Sequence, residues 1–263
     1  MPSTTTRTMR AAICTSILAL LLAPLPILAD SGTVWATPHD SYSSSIGVLG
    51  CKVDTNRIAY WPGAPSCSNL CVQLSYAGRS VKLLRVDSSE GAHDISYDAW
   101  NYLQTGKSAA DKPTVGGAVP MEYKEVDVKE CKGLIHTDGH KLPLSAANSM
   151  NFLASCLEEE GSWVAKNYVL YNVLDSQCSM GYDETCKLDW PNANQAKCPH
   201  TLGLPNVLKG AEVWNVQYGT GKKVLAGIAP GVASEGSGLR VLGVSTMLGL
   251  LAGMYMLQGW MYR

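Results

Sequence analysis

Eight cysteines lie between residues 51 and 198, and they constrain this chain more than any other feature. They are Cys51, Cys67, Cys71, Cys131, Cys156, Cys178, Cys186 and Cys198; the ninth, Cys14, stands apart near the N-terminus. An even set confined to the central part of the chain reads as up to four disulfides formed in an oxidising compartment, with 105 possible pairings. Zinc is the competing reading for Cys67 and Cys71, but no second ligand pair at finger-like spacing accompanies them. Neither a metal nor an organic cofactor is expected.

The two ends agree with that compartment. Residues 1–29 carry Arg7 and Arg10 ahead of an apolar stretch that ends at the small Ala29, the pattern of a secretory signal peptide. Pro24 and Pro26 would break a helix already too short to span a bilayer. At the other end, residues 241–260 are apolar except for Ser245, Thr246 and Gln258, and only three residues follow. Such a tail, within 241–263, reads as a C-terminal glycosylphosphatidylinositol anchor signal, with Gly231 or Ser234 as the attachment residue. A true transmembrane helix is the alternative reading, since twenty residues suffice to cross. Either way the body is expected at the extracellular face of the plasma membrane or in the cell wall, with the membrane as a partner through the anchor.

Net charge is −1 and basic residues are scattered, so nucleic acid is not an expected partner. The sequence has no Asn-x-Ser/Thr sequon, nucleophile elbow, phosphate loop or dinucleotide fingerprint. The body is expected to be mainly β. Residues 57–61 form a short strand stopped by Pro62, and residues 71–76 and 80–86 alternate on either side of Ala77-Gly78, a hairpin signal. Residues 95–103 place Ile95, Ala99, Trp100 and Leu103 on one helical face, with Ser96 as a candidate cap. Residues 121–126 alternate again, and residues 162–174 are rich in Val, Tyr and Trp and read as strand. After Cys198, the glycines and prolines of residues 200–240 predict a loosely ordered stalk, although Val213, Trp214 and Val216 have the makings of one strand.

Two acids stand out. Asp87 ends a strand and Asp94 sits where a helix is expected to begin, with Ser88-Ser89-Glu90-Gly91 between. Glycoside hydrolysis needs two carboxylates, one protonated and one ionised, and these two are candidates. The structural alternative has Asp87 accepting from loop amides and Asp94 capping the helix. His93, Tyr97 and Trp100 lie beside them; His93 and Tyr97 are candidate ligand contacts, while Trp100 falls on the apolar face. His136 and His140 have a metal-like spacing, but Gly139 breaks the helix that would align them.

The order of these pieces resembles the double-psi β-barrel of expansin-like proteins, shared with barwin, fungal loosenins, rare lipoprotein A and certain endoglucanases. The segments that carry the resemblance are GRSVKLLRVD (78–87), HDISYDAW (93–100), VPMEYKEVDVKEC (119–131) and KVDTNRIAYWP (52–62). It implies a six-stranded double-psi β-barrel over residues 47–131 with a short helix; the resemblance does not reach residues 132–199, which are expected to be a disulfide-bonded extension packed on the barrel. It also implies that Asp87 and Asp94 line a groove for cell-wall polysaccharide on a fungal surface protein, which loosens the wall without hydrolysis. The alternatives are a glycoside hydrolase or lytic transglycosylase using Asp94 as acid, and a non-catalytic adhesive or structural domain. The loop between the two aspartates is shorter than in the family, and the Cys-Gly pair that often opens the second strand reads Cys71-Val72.

Overall fold

Ala77 and Gly78 both have positive φ, 48° and 75°, the requirement of a type I′ turn. That turn joins β3 (Cys71–Tyr76) to β4 (Arg79–Ser89) in an antiparallel pair, as the alternation predicts. The computed structural model describes residues 30–227; the signal segment, Gly231, Ser234 and the C-terminal hydrophobic stretch lie outside the described residues. Four more strands complete the first sheet: β1 (Ser31–His39), β2 (Ile58–Pro62), β5 (His93–Ser96) and β6 (Val119–Glu125). They close into a barrel in the order β1-β5-β2-β4-β3-β6. β1 runs parallel to β5 and β2 parallel to β4, while the other neighbours are antiparallel. Parallel neighbours need crossover connections, and these crossovers give the double-psi arrangement.

The barrel begins at Ser31, ahead of the boundary at residue 47 that the sequence suggested. In β1, Val34 and Ala36 point inward, but the strand also holds Gly32 and Pro38, so its period-2 signal is weak. The interior is filled by Val34, Ala36, Ala59, Val72, Leu74, Leu83, Ile95 and Met121, and Ala99, Trp100 and Leu103 of helix α1 (Tyr97–Thr105) pack onto the same cluster. Helix α1 starts two residues later than the apolar spacing suggests. Ile95 and Ser96 are drawn into β5, where β1 and β2 both offer ladder partners.

Residues 132–199 form a second layer. β7 (Leu142–Ser145), β8 (Tyr168–Val173) and β9 (Gly181–Cys186) make a three-stranded sheet, with helices α2 (Met150–Glu158) and α3 (Trp163–Lys166) beside it. The run expected to be all strand is thus a helical turn followed by β8, because Ser162 caps that turn by accepting from the Ala165 amide. Gly181 permits the close β8–β9 approach: a Cβ there would lie 2.3 Å from the Asn172 carbonyl, and its φ of 119° suits glycine. Leu142, Leu144, Leu153, Leu170 and Val173 pack against Ile58, Leu84 and Val86 on the outside of the barrel.

Four disulfides form, Cys51–Cys178, Cys67–Cys156, Cys71–Cys131 and Cys186–Cys198, and the first two join the barrel side to the second layer. Cys67 and Cys71 therefore take different partners. Among the described residues, no helix is long and apolar enough to cross a membrane.

Residues 200–227 are not a loose stalk. Val213 and Ala226 are buried, and β10 (Trp214–Val216) pairs with β11 (Lys223–Leu225). Tyr218 packs its ring 5.1 Å from Tyr97 and its hydroxyl bonds both the amide and the carbonyl of Gly116. Glycine and proline content predicted looseness here; buried side chains and long-range hydrogen bonds hold the segment instead. The rest of the proposed stalk, residues 228–240, lies outside the described residues.

Candidate functional site

Strand register brings the two acids near one residue. Tyr60 on β2 stands opposite Asp87 on β4 and opposite Asp94 on β5, and Asp94 in turn stands opposite Thr37 on β1. A row Thr37–Asp94–Tyr60–Asp87 thus crosses four strands. Asp87 and Asp94 are two strand spacings apart, roughly 10 Å at the backbone, with the Tyr60 ring between.

Asp87 is 8% exposed. Its carboxylate accepts from the Ser43 hydroxyl at 2.5 Å, the Ser45 amide at 2.9 Å and the Ser88 amide at 2.8 Å. The 43–45 segment covers it, so it holds that loop against β4 and has no open side for a substrate. Tyr60 is buried too, and its phenol is pushed well above the ordinary range, first by desolvation and then by the nearby Asp87 charge. It is a neutral hydroxyl at any physiological pH.

Asp94 differs. It is half-buried, accepts from the Thr37 hydroxyl, and belongs to a strand rather than a helix start, so it does not cap α1. Ser96 occupies the N-cap position but its hydroxyl donates to the Thr55 carbonyl and accepts from the Ile58 amide, pinning β5 to β2. Among the described residues, Asp94 is the acid of the pair that keeps access to solvent.

The neighbouring candidates separate in the same way. His93 packs edge-on to Trp61 at 5.0 Å, and its pKa is lowered by desolvation first and by Arg85 second, with Asp94 opposing. His93 precedes Asp94 on β5 and stands opposite the inward-facing Ala36 of β1. Trp61 also meets Tyr123 edge-on at 5.2 Å. Tyr97 is 1% exposed and its hydroxyl both donates to and accepts from Thr114, so it offers no face to a ligand. Trp100 is fully buried and donates to the Ala36 carbonyl. The His136/His140 pair sits around a non-helical Gly139, and the described residues hold no cluster of three metal-binding side chains.

Sequence reasoning missed β1 and with it two residues. Thr37 orients Asp94, and Trp35, two positions earlier on the same strand face, is 63% exposed. The usable signal was the inward alternation of Val34 and Ala36, which places Trp35 and Thr37 outward. No protein-family model matches the chain, and no curated protein is significantly similar to it.

Proposed function

We propose that this is an expansin-like protein of the cell surface that binds cell-wall polysaccharide through Asp94 and its surroundings, without hydrolysing it. The observation that carries this reading is the unequal fate of the two aspartates. Hydrolysis needs two carboxylates about 5–9.5 Å apart, both reaching one glycosidic bond. Asp87 is enclosed by Ser43, Ser45 and Ser88 and has no room to act as acid or base. Asp94, oriented by Thr37, remains as a hydrogen-bond acceptor for sugar hydroxyls. The disulfides support an oxidising, extracellular setting. The C-terminal hydrophobic stretch, as a lipid-anchor signal or a membrane helix, supplies the tether in this reading.

Cosedimentation with cellulose, chitin and β-glucan, paired with a reducing-end assay, tests it. The wild type is expected to bind at least one of the three, Asp94→Asn to weaken that binding about tenfold, and no reducing ends to appear. Absence of binding to all three polymers defeats the proposal. Reducing-end release that vanishes in Asp94→Asn makes the protein a glycosidase or lytic transglycosylase instead.

A further inference from the structure

Among the described residues, the outward positions of β1 and β6, and Gln73 and Ser75 of β3, are not covered by the second layer, whereas Cys71 of β3 and Leu84 and Val86 of β4 are buried with it. On this uncovered face the outward positions come into register: Trp35 opposite Pro120, Thr33 opposite Glu122, and Glu122 opposite Ser75. Gln73 lies opposite Lys124 one step further along. Two shallow depressions, about 570 and 500 Å³, lie on this face and share Gln73, Ser75 and Glu122. Both are open and polar, unlike the enclosed, mostly apolar pockets that take compact small molecules.

We infer that one polysaccharide chain lies across this face, stacked on Trp35 and running from Thr37–Asp94 toward Glu122, Ser75 and Gln73. This rests on the polysaccharide-binding reading and adds the path and the stacking residue. Trp35 and Thr37 project from the same side of β1, about 6.7 Å apart along the strand. A sugar whose apolar C–H face covers the exposed indole can therefore send a hydroxyl to Asp94. The remaining contacts are uncharged amide and hydroxyl groups plus Glu122 and Lys124, opposite charges on alternate positions of β6. Mixed sign and low net charge fit an uncharged polymer rather than nucleic acid, which needs a basic stripe. A protein interface would bring an apolar, aromatic-rich centre; here Trp35 is the one large exposed apolar side chain among the strand positions that line this face.

The experiment is a tryptophan-fluorescence titration of the full ectodomain with hexasaccharides of the cellulose, chitin and β-1,3-glucan series. Wild type, Trp35→Ala, Trp35→Phe, Glu122→Gln and Asp94→Asn are compared. Trp35 and Glu122 are exposed, so their variants are expected to keep the wild-type circular dichroism and melting curve. The wild type is expected to blue-shift on binding. Trp35→Ala should weaken binding at least tenfold, Trp35→Phe less, and Glu122→Gln severalfold. Binding by Trp35→Ala and Glu122→Gln equal to wild type, with Asp94→Asn still impaired, overturns the path while leaving the Asp94 site standing. No binding by the wild type to any series removes both.

Discussion

Seven positions along the chain separate Asp87 from Asp94, and their environments share little beyond Tyr60. Asp87 is a loop anchor: three donors converge on it, two of them backbone amides. Truncating it orphans those donors, at about 1–3 kcal/mol for each one left buried and unsatisfied. Asp87→Ala is therefore expected to cost about 3 kcal/mol in guanidinium unfolding. Asp94→Ala, which releases only the Thr37 hydroxyl, is expected to cost less than about 1 kcal/mol. Equal losses would show that Asp87 does not hold the 43–45 segment. Sequence alone weighed both roles for each acid; local identity cannot separate them, because burial is imposed by a loop more than forty residues earlier in the chain.

At the scale of elements, the hairpin and β2 were legible because a turn signal or a proline bounded an alternating run. Ala77 is the weak point of that hairpin: a residue with a Cβ held at φ 48° costs more there than asparagine, which populates this region readily. Ala77→Asn is expected to raise stability by about 0.5 kcal/mol in the same unfolding assay. A loss of stability would mean that the turn is not of the I′ kind. Helix α1 was found but started early, since periodicity cannot tell a helical Ile95 from one that pairs with Ala59 across a sheet. β1 escaped notice altogether. Its evidence is a partner on each side, β5 and β6, both distant in sequence.

For the whole molecule, the largest revision concerns residues 200–227. They read as a stalk, yet Val213 enters the second core and Val216 the barrel core, while Tyr42 donates its amide to the Asn215 side chain. A chain ending at Cys198 loses these contacts and uncovers Tyr97. It is expected to melt several degrees below the chain ending at Gly227, or to aggregate on expression, measured by thermal unfolding of the two truncations. Equal melting temperatures would restore the stalk. The disulfides act on the same scale, with Cys51–Cys178 closing 127 residues and Cys67–Cys156 closing 89, so that two of the four bridges tie the barrel side to the second layer.

The sequence by itself determined a mainly β body with eight cysteines able to pair, the principal hairpin, and the two acids worth testing. Those are local properties: periodicity, turn chemistry and composition are written in neighbouring residues. Only the tertiary structure decided which cysteines pair, that β1 completes the barrel, that residues 200–227 belong to the body, and that Asp87 is enclosed while Asp94 stays accessible. Each depends on contacts between segments far apart in the chain, whose geometry is set by packing and strand register together.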